Sequence, residues 1–148
     1  AKVLFARRDP RDVVLSCFRR RFAMSGAAYQ MLTLQGTADY YDAAMQLSLR
    51  IGRDFPLDQL IVKHEVLIED FDAVAQEVCG FLGLEWTEAM RDFAQRTRDR
   101  GISTPSGAQL AGGLSGEGVG HWRWYAEPMG AVLPTLKPWV DTFGYAST

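Results

Sequence analysis

The sequence is poor in the residues that build metal centres and covalent frameworks: its 148 residues include only two cysteines and two histidines. Cys17 and Cys79 sit among apolar neighbours inside amphipathic helical patterns, which suits small buried hydrophobes in a reducing cytoplasm rather than a disulfide scaffold. His64 and His121 are distant in sequence from each other and from both cysteines, so zinc-type ligand spacing is absent and no metal is expected. No apolar run approaches the roughly 18 residues needed to cross a bilayer. Val3-Leu4-Phe5-Ala6 is too short for a signal-peptide core, so a cytoplasmic protein without membrane contact is expected. Internal repeats and low-complexity segments are also missing, and the length suits one globular domain.

What is present is an uneven charge distribution. The net charge is −2, yet residues 1–21 hold seven basic groups against two acidic ones, and the remainder holds nine basic against sixteen acidic. A chain with a sequence pI near 5.7 lacks the global positive field of a nucleic-acid binder, so the basic end points to a small polyanion.

Lys2 to Arg7 reads as a short strand of the kind buried on both faces of a parallel sheet. Asp9-Pro10 supplies an N-cap and a first helical residue for a helix running to about Met24, ended by Ser25-Gly26. Thr37 is expected to cap a second helix reaching about Phe55 before Pro56. Leu60-Ile61-Val62 is a second strand, ending at Lys63-His64-Glu65. Asp70 or Asp72 then caps a helix to about Leu82, with Gly83 as its C-cap. Thr87 opens a short helix, Gly101 to Gly120 reads as a long loop, of a length usually functional or disordered, and a last helix over Glu127 to Thr142 is bent or broken near Pro134 and Pro138.

The chemically informative unit is Arg7-Arg8-Asp9-Pro10-Arg11-Asp12-Val13-Val14-Leu15-Ser16, a strand running into a helix start with arginines on both sides of the turn. Free N–H groups and the positive dipole end attract an anion there, and arginine adds paired hydrogen bonds. At 100° per residue Asp12, Ser16, Arg19 and Arg20 share an arc, so Ser16 and Arg20 are one turn apart on one face. Arg21 falls in the apolar arc. The plainer alternative pairs Arg8, Arg11 and Arg20 with Asp9, Asp12 or distant acids.

These residues resemble the second nucleotide-binding element of sulfotransferases that use 3′-phosphoadenylyl sulfate (PAPS), a strand followed by Arg-x-Pro-Arg-x-x-x-x-Ser. The resemblance implies that Arg8 and Ser16 bind the 3′-phosphate, and that Arg20 matches a further arginine of the tyrosylprotein branch. Leu60-Ile61-Val62-Lys63-His64-Glu65 is similar to the family strand ending in Tyr-Glu, with His64 where a tyrosine touches the adenine; it either stacks there or fills core space. Phe81-Leu82-Gly83-Leu84-Glu85-Trp86 is similar to the Phe-Leu-Gly-Leu segment that follows. Thr104-Pro105-Ser106-Gly107-Ala108-Gln109-Leu110 resembles the loop closing over the nucleotide, which implicates Ser106, Gln109 and Leu110. Gly118-Val119-Gly120-His121-Trp122-Arg123-Trp124-Tyr125 resembles Ser-x-Gly-Arg-Trp-Arg-x-Tyr, which implicates His121, Trp122 and Arg123. Ordinary core packing is the alternative for Trp122 and Trp124, and for at least one of them the favoured one.

The resemblance implies an α/β fold: the carboxyl-terminal part of a P-loop-like three-layer sulfotransferase domain, helix-rich with a short parallel sheet, spanning residues 1–148. It implies PAPS as cosubstrate, its product 3′-phosphoadenosine 5′-phosphate (PAP), and sulfuryl transfer to an acceptor hydroxyl or amine of unknown identity. The acceptor, once deprotonated, attacks sulfur in line. The closest likeness is to bacterial sulfotransferases often fused behind tetratricopeptide repeats, which makes such repeats a candidate partner in the parent chain. Nothing here matches the family's Gly-rich phosphosulfate loop, its lysine or its general base, which are expected before Ala1. No catalytic residue is therefore assigned, and the chain alone is expected to be inactive. The rivals are a noncatalytic nucleotide- or phosphate-binding interaction module and a P-loop kinase relative.

Overall fold

The computed structural model describes residues 1–20, 22–101 and 111–146 and divides into two compact units. The first joins Ala1–Arg7 to Asp58–Glu117, and the second joins Arg8–Leu57 to Gly118–Thr148.

In the first unit β1 (Lys2–Arg7) pairs in parallel with β2 (Asp58–Lys63), in a register that sets Leu4 against Leu60 and Phe5 against Ile61. The parallel α/β arrangement read from the sequence is therefore present. Burial on both faces is not. Exposure alternates along β1, and Leu4 and Ile61 remain 44% and 42% exposed. β2 passes directly into α4 (His64–Glu69), so His64 is a helix residue rather than a strand end. Asp70 caps α5 (Phe71–Leu82) by accepting the Ala73 N–H, and Gly83 closes it at φ +73, as the pattern predicts. A 3₁₀ turn at Glu88–Met90 follows, then α6 (Phe93–Arg100). Phe71 packs edge-on to Trp86 and tilted against Phe93, and Val74 and Cys79 of α5 are buried.

The second unit is helical: α1 (Pro10–Arg19), α2 (Gly26–Gln30), α3 (Leu34–Asp54), a 3₁₀ segment His121–Tyr125, α7 (Ala126–Gly130) and α8 (Leu133–Thr142). Its core is Val14 and Leu15 of α1, Ala38 of α3, Trp122, and Met129, Val132 and Leu136 from the carboxyl-terminal segment. α1 ends earlier than expected: Arg20 turns extended at φ −82, ψ 141, its N–H held by the Cys17 carbonyl. Ser25 does not close that helix but caps α2 through Ala28 N. Thr33, not Thr37, caps α3; Thr37 lies inside the helix and donates its hydroxyl to the Thr33 carbonyl. Of the bend or break expected in the last helix, the break is present, at 131–132 before Pro134, which takes a first-turn position where its missing N–H is harmless. Among the described residues no helix is long and apolar enough to cross a membrane.

Candidate functional site

Each functional side chain of the second unit is placed by α1 or by the segment that begins at Gly118. Asp9 holds the N-cap of α1, accepting the Arg11 N–H at 2.9 Å. The same carboxylate receives Arg11 Nε at 2.9 Å and Nη2 at 2.7 Å, a bidentate pair whose side chains are 4% and 10% exposed. Arg11 also donates to the Ala146 carbonyl and lies 4.2 Å from the Trp122 ring centroid. The plainer reading of the motif thus holds for Arg11, which is occupied by the fold. The expectation of an open helix terminus also changes, since a side-chain carboxylate already sits on the positive end of α1.

Arg8 is different. Its Nη2 donates to the Gly118 carbonyl, while its Nε is buried with no hydrogen-bond partner among the described residues. Its charge reaches along α1: burial pushes the Cys17 thiol up, and the guanidiniums of Arg8 and Arg20 pull against that rise. Two cations therefore act on Cys17. Ser16 and Arg20 are half-buried, but Arg20 stands just past the helix, so the one-turn geometry expected for this pair does not apply. Arg19 lies over the Tyr125 ring at 5.1 Å.

Asp12 was grouped by periodicity with the polar face, yet it is 1% exposed. Its carboxylate accepts the Gly120 N–H at 2.6 Å and the Trp122 N–H at 2.8 Å. Burial raises its pKa above the ordinary carboxylate value, opposed by those two N–H groups and by Arg8. Sequence reasoning missed Asp12 and Gly118 as parts of the site. The available signal was the Gly118-Val119-Gly120 run, where Gly120 takes φ +69 and a Cβ on Gly118 would come within 2.6 Å of Arg8 Nη2.

Trp122 belongs to the core, with guanidiniums of Arg11 and Arg123 over its ring and Nε1 buried without a partner among the described residues. Trp124 is 82% exposed, and its ring meets His121 edge-on at 4.8 Å. In the other unit, His64 is half-buried at the start of α4. Ser106, Gln109 and Leu110 lie outside the described residues, as does Arg21. Among the described residues no cluster of three or more His, Cys, Asp or Glu side chains could hold a metal ion.

The profile of the Sulfotransferase family matches residues 1–88, more than half of the chain. The chain belongs to the sulfotransferase family. No curated protein and no solved structure matches it. The span matched in this sulfotransferase includes Arg8, Ser16, Arg20 and His64, whereas Ser106, Gln109, Leu110, His121, Trp122 and Arg123 lie beyond it. Membership implies sulfuryl transfer with a nucleotide cosubstrate and an acceptor.

Proposed function

We propose that this sulfotransferase chain uses PAPS and that it holds the nucleotide's 3′-phosphate and adenosine during transfer to an acceptor hydroxyl or amine. The observation that carries the reading is Arg8: a guanidinium tethered to the Gly118 carbonyl, with a buried Nε lacking any partner among the described residues. A buried donor left unpaired is costly, and an anionic oxygen satisfies it with a charge-assisted bond. Ser16 on α1 and Arg20 just past its end are assigned to the same phosphate, as a hydroxyl and a second positive charge, on resemblance. Arg11 is excluded from this role by its bidentate pairing with Asp9. His64 is assigned to the adenine, and Ser106, Gln109, Leu110, His121, Trp122 and Arg123 to the remaining nucleotide contacts, on resemblance alone. PAPS supplies the sulfuryl group. The residues assigned here bind and orient the nucleotide, and none is assigned to proton transfer.

Calorimetry on the intact protein with PAP and with adenosine 5′-phosphate, which lacks the 3′-phosphate, tests the reading. Arg8→Ala is expected to weaken PAP binding by roughly 2–3 kcal/mol, about 30- to 150-fold, and to leave adenosine 5′-phosphate nearly unchanged. Ser16→Ala is expected to lose less. Equal losses for both nucleotides would mean that Arg8 supports the fold rather than reads the phosphate. If the unmutated protein binds neither nucleotide, the noncatalytic interaction module becomes the better account.

A further inference from the structure

We propose that Asp12 is the positioning residue of the nucleotide site: its carboxylate fixes the 118–125 segment on α1 and thereby sets where Arg8 is held. The inference rests on the reading of Arg8 given above.

Asp12 lies in the first turn of α1, and its side chain is almost wholly excluded from solvent. It is not the helix cap, since Asp9 fills that place. It makes no ion pair among the described residues. Its hydrogen-bond partners there are two backbone N–H groups of one distant segment, Gly120 at 2.6 Å and Trp122 at 2.8 Å. A buried, unpaired carboxylate is an inefficient way to stabilise a fold, because its desolvation consumes much of what two hydrogen bonds return. What the arrangement provides is registration. One carboxylate spans two alternate amides, so the segment cannot slide or rotate without breaking both bonds at once.

That registration reaches the anion site through two links. Gly118, two residues before Gly120, presents the carbonyl that receives Arg8 Nη2. Trp122, whose N–H is the second bond to Asp12, lies beneath the guanidiniums of Arg11 and Arg123. With the carboxylate in place, the Gly118 carbonyl stands at a fixed height beside Arg8, and a long flexible side chain is held in one orientation before any ligand arrives. Pre-organised guanidinium donors lose less freedom on binding an anion. Released from Asp12, the segment moves as a unit and Arg8 loses its tether while keeping its charge.

The test uses Asp12→Asn in the intact protein, which keeps the side-chain volume but offers one acceptor oxygen to two donors. Amide hydrogen exchange at Gly120 and Trp122 is expected to accelerate at least tenfold. The preference for PAP over adenosine 5′-phosphate is expected to fall at least tenfold, with binding of the latter nearly constant. A folded Asp12→Asn protein that keeps the full 3′-phosphate preference overturns the proposal. If the unmutated protein shows no such preference, the nucleotide reading itself has failed, and the positioning role falls with it. Should Asp12→Asn not fold, the unmutated protein still decides: PAP is expected to slow exchange at the Gly120 and Trp122 amides more than adenosine 5′-phosphate does, and equal protection by the two nucleotides overturns the proposal.

Discussion

Arg11→Met removes a guanidinium that three different groups use, and the structure gives the size of the loss. The substitution keeps an unbranched apolar stem against Trp122 but deletes the bidentate pair with Asp9, the hydrogen bond to the Ala146 carbonyl and the cation–π contact at 4.2 Å. An exposed ion pair contributes about 0–1 kcal/mol, whereas removing one partner of a buried pair costs about 3–5 kcal/mol, because the other charge stays buried and uncompensated. With both side chains at most 10% exposed, the second figure applies. A loss of about 3–5 kcal/mol is a large share of the 5–15 kcal/mol typical of folded domains, so urea unfolding at constant m should show it as a fall in midpoint. Asp9→Asn in the same chain removes the stranded charge and keeps an N-cap acceptor, so the double variant is expected to recover more than half of the loss. The ratio of PAP to adenosine 5′-phosphate affinity should not change in Arg11→Met, since that guanidinium is already occupied. A single-variant loss below about 1 kcal/mol would refute the assignment of the pair as buried, and a selective loss of PAP would refute the division of labour between Arg8 and Arg11.

Gly118→Ala would bring a Cβ within 2.6 Å of Arg8 Nη2, the mobile end of a flexible side chain, so the guanidinium gives way rather than the backbone. Calorimetry should find PAP binding weakened about tenfold, and thermal unfolding should find stability changed by less than about 1 kcal/mol; the reverse pattern would count against the Arg8 tether. The raised pKa of Asp12 fixes a sign as well: its contribution to folding is fully present below its unfolded value and is lost as pH rises through its higher folded value. The stability of the unmutated protein relative to Asp12→Asn should therefore decline as pH rises across that interval and then level off, and a difference that grows with pH in urea midpoints would contradict the burial argument.

The parallel strand pair was legible because both runs are short, apolar and followed by helical pattern, which leaves few alternatives to a β–helix–β crossover. Asp9, Asp70 and Gly83 were legible because capping is local chemistry. The end of α1 was not. Apolar positions Phe18 and Phe22 continue the helical period past Arg20, and no glycine or proline interrupts them until Gly26. The short helix expected from Thr87 starts later, for the opposite reason: Glu88–Met90 is a 3₁₀ turn, and α6 has no apolar stripe over Gln95 to Arg100 to mark it, being laced instead by side-chain bonds from Gln95 to Asp99 and from Arg98 to Gln95. Arg8 was recognisable from its motif, but its separation from Arg11 required Asp9, Gly118 and Ala146, and the last two are more than 100 residues away in sequence.

On the proposed reading, that separation lets an anion site sit beside two carboxylates without being cancelled by them. Asp9 neutralises Arg11 and covers the positive end of α1, so neither the dipole nor Arg11 remains for a ligand. Asp12 directs its oxygens to Gly120 and Trp122, where backbone N–H groups offset much of its negative potential. The basic excess of residues 1–21 is thus sorted by position rather than summed: the guanidiniums acting on Cys17 are Arg8 and Arg20, and the first of these has a buried donor unmet among the described residues. On the proposed reading a phosphate suits the site better than a carboxylate, because it presents more acceptor oxygens and more charge to guanidinium and hydroxyl donors. The selectivity for a 3′-phosphate proposed for this sulfotransferase then depends on Asp12 holding the Gly118 carbonyl where Arg8 can reach it.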